Sequence, residues 1–131
     1  MKKQRTKKRT RIIRLLIVDD SKVMRHTLKL FCASIPRVVV IGEANNGLEA
    51  LSAIRALKPD VITLDIRMPM MNGIEVLQAM NHEQLEGAVI VLSAIGGDPY
   101  RQKCFELGAS YVLDKTTELE KLSRILSDLI L

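Results

Sequence analysis

The chain has 131 residues, the size of one domain, and 47% of them are hydrophobic, enough for a core without disulfides. No apolar run approaches the roughly 20 residues that a membrane-spanning helix needs, and no signal-peptide core follows the basic start. Aromatic residues make up only 3% of the chain, which argues against stacking surfaces for single-stranded nucleic acid. We therefore expect a cytoplasmic globular protein.

The net charge of +5 is concentrated at the start of the chain. The first fourteen residues contain eight basic residues and no acidic one. Residues 15–131 hold twelve basic and fifteen acidic residues, a net charge of −3. We predict a basic, disordered leader over residues 1–13 and a domain over residues 14–131. The leader is either a solvated tail or a contact for phosphate backbones, anionic lipid or an acidic partner.

Five short apolar runs without polar alternation predict strands that are buried on both faces. They cover residues 15–18, 38–41, 61–64, 89–92 and 111–113. Apolar residues at helical spacing predict a helix after each strand. These residues are Met24, Leu28, Phe31 and Ile35, then Leu48, Leu51, Ile54 and Leu57, then Ile74, Leu77 and Met80, then Tyr100, Cys104 and Leu107, and last Leu119, Leu122, Leu126 and Leu129. The pattern predicts an α/β fold, a (βα)5 parallel sheet with helices on both faces.

Residues that end or begin helices support this assignment. Four positions offer N-caps for the first, second, fourth and fifth helices: Ser21, Asn46, Asp98, and Thr116 or Thr117. Gly108 lies where a left-handed residue would end the fourth helix.

Polar residues follow the predicted strands at the carboxyl edge of the sheet, where such folds bind ligands. They are Asp19 and Asp20 after the first strand, Asp65 after the third, Ser93 after the fourth, and Asp114 and Lys115 after the fifth. Crowded carboxylates raise one another's pKa, and a divalent cation relieves the repulsion. Oxygen ligands favour Mg²⁺, with Mn²⁺ plausible, over zinc. A metal beside a free carboxylate suits phosphoryl transfer, with Lys115 and Ser93 contacting the phosphoryl oxygens.

Several segments together resemble the response-regulator receiver domains of the CheY-like kind. They are LIVDDS (16–21), NGLEAL (46–51), PDVI (59–62), LDIRMPMMNG (64–73), LSA (92–94) and GA (108–109), with Lys115 following. The resemblance covers residues 14–131 and implies the flavodoxin-like strand order 2-1-3-4-5.

The resemblance implies a site and a reaction. Asp65 would accept a phosphoryl group from the phosphohistidine of a sensor histidine kinase or a histidine phosphotransfer protein. The Mg²⁺ ligands would be Asp19, Asp20, Asp65 and the backbone carbonyl of Arg67. Ser93 and Lys115 would contact the phosphoryl oxygens. Such a domain modifies only its own aspartate and is a switch rather than an enzyme with turnover.

For the output, we expect a stand-alone regulator or a phosphorelay member that binds a downstream protein through its fourth helix, fifth strand and fifth helix. The alternative is the receiver part of a larger regulator with a DNA-binding or methylesterase domain. Two other classes are less favoured. One is a haloacid-dehalogenase-like phosphatase, which would need Asp-x-Asp rather than the adjacent Asp19 and Asp20. The other is a binding module that acts without phosphorylation.

Two positions depart from the family pattern, and the role of a third residue, Arg67, is left open. Val112 stands where many relatives carry an aromatic switch residue, and Tyr111 should point to the opposite face, so we predict an absent or altered aromatic switch. Lys115 is followed by Thr116 instead of a cis-bonded proline. That bond is either trans in a differently shaped loop or cis at a cost of about 2.5–4 kcal/mol. The Arg67 side chain is either solvated or shields or binds the acyl phosphate.

Overall fold

The computed structural model describes residues 11–94 and 100–130 of the chain. Over these residues, strands and helices alternate as the apolar pattern predicts. The strands are β1 (Ile13–Val18), β2 (Val38–Ala44), β3 (Val61–Asp65), β4 (Ala88–Ser93) and β5 (Tyr111–Asp114). The helices are α1 (Lys22–Ala33), α2 (Gly47–Leu57), α3 (Gly73–Glu83), α4 (Arg101–Glu106) and α5 (Lys121–Ile130). None of these helices is long and apolar enough to cross a membrane.

The five strands form one parallel sheet in the order β2-β1-β3-β4-β5, which confirms the predicted topology. Because all strands run the same way, their carboxyl ends share one edge. Val18 of β1 pairs with Leu64 of β3. The residues that follow this pair, Asp19 and Asp65, therefore lie side by side at the carboxyl edge.

Helices cover both faces of the sheet, because successive strand residues point to opposite sides. Leu15 of β1 lies in one core with Leu28 of α1 and Leu126 of α5. The next residue, Leu16, lies in a second core with residues of α2, α3 and α4, among them Ile54. Residues 15–18 of β1 are buried on both faces, and this is why they form a continuous apolar run.

Two predicted N-caps are confirmed. The Ser21 hydroxyl accepts the Met24 N–H at 3.2 Å, and the Asn46 side chain accepts the Glu49 N–H at 2.9 Å. Gly108 has a φ of 101°, the positive value expected of a residue that ends a helix. The proposed cap Asp98 lies outside the described residues.

The predicted start of the fifth helix is wrong. Thr116 and Thr117 lie in a turn, and α5 begins only at Lys121. Asp114 explains the difference, because its Oδ1 accepts the backbone N–H groups of Thr116 at 2.7 Å and of Thr117 at 3.2 Å. A side chain that bonds the following amides favours a local turn over a helix.

Two residues assigned to buried helix faces lie at the surface instead. Leu48 is 50% exposed and Tyr100 is 47% exposed. In α2 the buried positions are Gly47, Ala50, Leu51 and Ile54. This face has helical spacing, and Leu48 lies one position outside it. Tyr100 immediately precedes α4 and does not enter either core.

Candidate functional site

Asp19, Asp20 and Asp65 lie together at the carboxyl edge of the sheet. One carboxylate oxygen of each lies within 4.8 Å of the others. Asp19 and Asp65 are buried, whereas Asp20 is exposed. Because β1 and β3 are neighbours, the two buried carboxylates approach each other from adjacent strands. The structure thus brings three of the predicted site residues into one cluster that opens to solvent at Asp20.

Asp19 is held in place through one carboxylate oxygen and forms an ion pair through the other. Its Oδ1 accepts the Ser21 N–H at 2.9 Å. Its Oδ2 lies 2.6 Å from Lys115 Nζ. The ammonium thus forms an ion pair with a buried carboxylate oxygen. At such an oxygen a metal ion can take the place of the ammonium as the neutralising cation.

Lys115 joins the acidic cluster from the end of β5. Its Nζ lies 3.3 Å from Asp65 Oδ1 as well as beside Asp19, and its side chain is only 10% exposed. The Lys115 backbone N–H donates to the Ser93 carbonyl oxygen at 2.6 Å, which fastens the ends of β5 and β4 together. Ser93 is buried and follows Leu92, the residue that pairs with Asp65. Ser93 therefore ends β4 and Lys115 directly follows β5, the two strands beyond β3 in the sheet.

The buried position of Asp65 and the charges around it shift its pKa. Burial raises the pKa of the Asp65 carboxyl from 3.8 to about 6. The charges of Asp19 and Asp20 add to this increase, whereas the Lys115 ammonium opposes it. Three carboxylates thus share one nearby lysine, and a divalent cation would relieve the remaining repulsion. The donors are all oxygens, and this set fits Mg²⁺ or Mn²⁺ better than a metal that prefers nitrogen or sulfur ligands.

Three residues that the sequence pattern does not single out form a charged network that contacts the Asp19 backbone through Arg25. Arg25 of α1 donates through NH1 to the Asp19 carbonyl oxygen at 2.8 Å. Its Nε pairs with Glu43 of β2 at 3.0 Å, and Lys29 pairs with the same carboxylate at 2.7 Å. Hydrogen bonds from Lys29 and Arg25 lower the pKa of Glu43. The available signal was the pair of basic residues four positions apart on a helix that follows Asp19.

Gly73 allows α3 to begin directly against the strand that carries Asp65. A Cβ at this position would lie 2.5 Å from the Asp65 carbonyl oxygen and 2.8 Å from the Ile66 Cα. The Gly73 N–H donates to the Ile66 carbonyl oxygen at 2.8 Å. No other residue type fits this approach without moving the backbone next to Asp65.

Arg67 follows Asp65 in the loop between β3 and α3. Its side chain is exposed and lines an open groove with Asp20 and Tyr100. The side chain therefore lies near the mouth of the acidic cluster. Metal coordination by the Arg67 carbonyl stays a prediction.

The end of β5 has the alternation that the sequence predicts. Val112 is buried in the core with α2, α3 and α4, whereas Tyr111 packs against the core on the other face. The described residues contain no cis peptide bond, so the Lys115–Thr116 bond is trans and the first of the two expectations holds. Asp114 shapes this loop instead, since its Oδ1 also accepts the Thr116 hydroxyl at 2.6 Å.

Comparison with known proteins gives a consistent result. The family model for the response regulator receiver domain matches residues 15–127. The protein-glutamate methylesterase/protein-glutamine glutaminase of Clostridium acetobutylicum is 41% identical over 120 residues, which cover 90% of this chain and 35% of the relative. The protein of the same name from Geobacillus kaustophilus is 49% identical over 81 residues, 62% of this chain and 23% of the relative. The chain spans about a third or less of the length of these curated relatives.

Solved structures agree with the family match. The response regulator domain of Thermotoga maritima CheB superposes with a TM-score of 0.80 at 36% identity, covering 92% of this chain and 94% of that one. The receiver domain of NarL from Mycobacterium tuberculosis gives 0.83 at 29% identity, with 92% and 97% covered. A chain of the CheX-CheY-BeF3-Mg²⁺ complex from Borrelia burgdorferi gives 0.79 at 29% identity, with 91% and 90% covered. The chain therefore belongs to the response regulator receiver domain family.

Proposed function

We propose that Asp65 accepts a phosphoryl group from the phosphohistidine of a sensor histidine kinase or a histidine phosphotransfer protein. An oxygen of the Asp65 carboxylate attacks phosphorus, the O–P bond forms as the N–P bond breaks, and the released imidazole takes up a proton. The observation that carries this proposal is the position of Lys115 Nζ, 2.6 Å from Asp19 and 3.3 Å from Asp65. A lysine that bridges these carboxylates can neutralise an incoming phosphoryl group at the nucleophile.

We propose that Asp19, Asp20 and Asp65, with the backbone carbonyl of Arg67, hold Mg²⁺, and that Mn²⁺ can replace it. When bound, the ion supplies positive charge that offsets the charge of the phosphoryl oxygens. Support comes from the carboxylate oxygens of the three aspartates, which lie within 4.8 Å of one another, and from the burial of Asp19 and Asp65. Further support is the likeness to the Borrelia burgdorferi complex, whose name includes BeF3 and Mg²⁺.

The remaining site residues act on the phosphoryl group and not on an outside substrate. The Ser93 hydroxyl donates to a phosphoryl oxygen, and Lys115 neutralises a second one. The backbone bond from Lys115 to Ser93 links these two contacts. The chemistry is therefore confined to Asp65 of the same chain, and the domain is a switch without substrate turnover. We propose a cytoplasmic location for this exchange, as for receiver domains in general.

Incubation with acetyl phosphate and Mg²⁺, followed by Phos-tag electrophoresis, tests the proposal. The unaltered chain should shift, and neither Asp65→Asn nor a sample with excess EDTA should shift. Asp128→Asn, which changes an exposed aspartate of α5, is the matched control and should shift normally. Steady phosphate release from small phosphomonoesters would instead support a haloacid-dehalogenase-like phosphatase. Absence of any modification would support a binding module that acts without phosphorylation.

For the output, we infer that the switch regulates a protein methylesterase or glutaminase. The support is the set of relatives that carry this name, at 41% and 49% identity in the matched region. The regulated region is either a separate protein or another part of a larger regulator. In both cases we propose that the regulated region docks on the surface that α4, β5 and α5 form on this chain. On this surface Phe105 is 44% exposed, and the Arg101 guanidinium lies 5.7 Å from the centre of its ring.

A chimera tests this output directly. The receiver region of the Clostridium acetobutylicum relative would be replaced by residues 15–127 of this chain, and methylesterase activity measured with and without BeF3⁻ and Mg²⁺. A change in activity that Asp65→Asn abolishes would support the proposal. A chimera that is active but indifferent to BeF3⁻ would contradict it. Phe105→Ala in the chimera would then show whether the proposed surface carries the signal.

A further inference from the structure

Asp114 ends β5, and its side chain closes a turn over the residues that follow. Its Oδ1 accepts the Thr116 N–H at 2.7 Å, the Thr116 hydroxyl at 2.6 Å and the Thr117 N–H at 3.2 Å. The hydrogen bonds from the Thr116 hydroxyl and backbone lower the pKa of the Asp114 carboxyl. The acceptor is therefore an ionised carboxylate at neutral pH, which strengthens these bonds. Lys115, the lysine of the acidic cluster, lies inside this turn.

The turn fixes the two peptide groups that flank Lys115. In the group before it, the Lys115 N–H donates to the Ser93 carbonyl oxygen at 2.6 Å. In the group after it, the Thr116 N–H donates to Asp114 Oδ1. Because peptide groups are planar, the φ and ψ of a residue are the only rotations between its two peptide groups. Fixing both groups therefore fixes the direction in which the Lys115 side chain leaves the backbone.

The main chain of Asp114 is itself tied to the segment before α5. The Asp114 N–H donates to Glu118 Oε1 at 3.1 Å, and the Glu118 N–H donates to the Asp114 carbonyl oxygen at 2.9 Å. The other oxygen of the Glu118 carboxylate pairs with Lys121, the first residue of α5, at 2.6 Å. Asp114 is thus held from both sides, and its carboxylate is a firm support for the turn.

The position of the Lys115 ammonium depends on this support. Its Nζ lies 2.6 Å from Asp19 Oδ2 and 3.3 Å from Asp65 Oδ1, and the side chain is only 10% exposed. A lysine side chain is long and flexible, so a small rotation at its Cα carries the ammonium away from both oxygens. We propose that Asp114 is a positioning residue, whose carboxylate holds the Lys115 backbone so that the ammonium stands between Asp19 and Asp65. This inference rests on the proposed function of Lys115 in phosphorylation of Asp65.

Thr116 is the residue type that this support requires. Its backbone N–H and its hydroxyl are two of the three donors to Asp114 Oδ1. A proline at this position would have no N–H to donate and no hydroxyl. The adjacent residues Asp114 and Thr116 therefore replace, by hydrogen bonds, the constraint that a proline ring after the lysine would impose on the backbone.

A double-mutant cycle between Asp114 and Lys115 tests the proposal. Asp114→Ala removes the acceptor, so labelling of Asp65 by acetyl phosphate and Mg²⁺ should slow about fivefold as the ammonium leaves its position. Asp114→Asn keeps an acceptor oxygen, so its labelling rate should stay within about twofold of the unaltered rate. In the Lys115→Met background, Asp114→Ala should have no further effect. Asp128→Ala changes an exposed aspartate of α5 and is the matched control, which should label normally.

Calorimetric titration with MgCl₂ separates positioning from a general loosening of the site. An ammonium that leaves Asp19 no longer competes for its Oδ2, so Asp114→Ala should bind Mg²⁺ about two- to fivefold more tightly. A loosened site would bind Mg²⁺ more weakly, and that result would overturn the proposal. Thr116→Val removes one of the three bonds to Asp114 and perturbs the chain less. It should change the labelling rate and the Mg²⁺ affinity in the same directions by smaller factors.

Three further results would contradict the positioning role. The first is a labelling rate in Asp114→Ala equal to that of the unaltered chain. The second is an equal slowing in Asp114→Asn, which would assign the effect to the charge of Asp114. The third is a slowing by Asp114→Ala that is as large in the Lys115→Met background as alone. If the unaltered chain is not labelled at all, the proposed function fails, and the Mg²⁺ titration alone decides whether Asp114 positions Lys115.

Discussion

The Lys115 ammonium lies closer to Asp19 than to Asp65, at 2.6 Å against 3.3 Å. It therefore occupies a carboxylate oxygen that a metal would need. Lys115→Met removes this competing cation and leaves three carboxylates together. We expect Mg²⁺ to bind several-fold to about tenfold more tightly, because the site becomes more negative. Acetyl phosphate labelling should fall at least tenfold in the same variant, because nothing replaces the lysine charge at the phosphoryl oxygens.

Isothermal titration with MgCl₂ and the Phos-tag rate provide the two measurements. Lys121→Met is the matched control, since Lys121 is an exposed lysine that pairs with Glu118 away from the site. It should change neither quantity. Weaker Mg²⁺ binding in Lys115→Met would show that the lysine organises the carboxylates rather than competing for them.

The raised pKa of Asp65 predicts how stability of the metal-free protein changes with pH. Its folded pKa of about 6 exceeds the ordinary 3.8, so the folded state keeps a proton that the unfolded chain releases. The free energy of unfolding therefore falls as pH rises from about 4 to about 6, and the loss is complete above that range. Asp65→Asn removes this penalty. At pH 7 in EDTA, the free energy of unfolding of this variant should exceed that of the unaltered chain by about 1–2 kcal/mol.

The gain has a ceiling of about 3 kcal/mol, set by the difference between pKa values of 6 and 3.8. The Asp65→Asn variant also loses the ion pair with Lys115, and this loss reduces the gain in the free energy of unfolding. Urea denaturation followed by circular dichroism at pH 7 and pH 4 measures the effect, with Asp128→Asn as control. The difference in the free energy of unfolding between Asp65→Asn and the unaltered chain should shrink at pH 4. A larger difference at pH 4 than at pH 7 would contradict the raised pKa of Asp65.

Arg25 links the Asp19 carbonyl oxygen to the Glu43 carboxylate. Arg25→Met frees both groups, so Asp19 loses a support on the side away from the cluster. We expect Mg²⁺ affinity to fall about three- to tenfold, comparable with the loss of other supporting contacts around metal ligands. Lys29→Met removes only the second partner of Glu43 and should leave Mg²⁺ affinity unchanged. A titration in which both variants lose affinity equally would assign the effect to Glu43 instead.

The sheet and its acidic edge are readable from sequence for a physical reason. A parallel strand covered on both faces is mostly apolar, so residues 15–18 of β1 and 88–92 of β4 form uninterrupted apolar runs, and residues 61–64 of β3 contain only Thr63 as a polar residue. Parallel pairing then brings the residues after each strand to one edge, which places Asp19, Asp65 and Lys115 together without any knowledge of loops. The first inference depends on short-range sequence patterns, and the second depends on all strands running in the same direction.

The features that sequence reasoning missed depend on tertiary placement or on local competition. The pair Arg25 and Glu43 joins residues 18 positions apart, and only the packing of α1 beside β2 brings them into contact. The start of α5 was misplaced because threonine can cap a helix or enter a turn, and Asp114 decides for the turn. Leu48 has the hydrophobicity of a core residue, but the buried face of α2 begins at Gly47.

Thr63 predicts a stabilising substitution in the middle of β3. It is fully buried, and its Oγ1 has no hydrogen-bond partner among the described residues. A buried hydroxyl without a partner costs about 1–3 kcal/mol. Thr63→Val replaces it with a methyl group of similar shape, so the free energy of unfolding should rise by about 1–2 kcal/mol. Thr63→Ser keeps the hydroxyl and loses the methyl group, so it should lower the same quantity by about 1 kcal/mol. Urea titration of both variants at pH 7 separates the two contributions, and a valine variant less stable than the unaltered chain would show that the hydroxyl is bonded in solution.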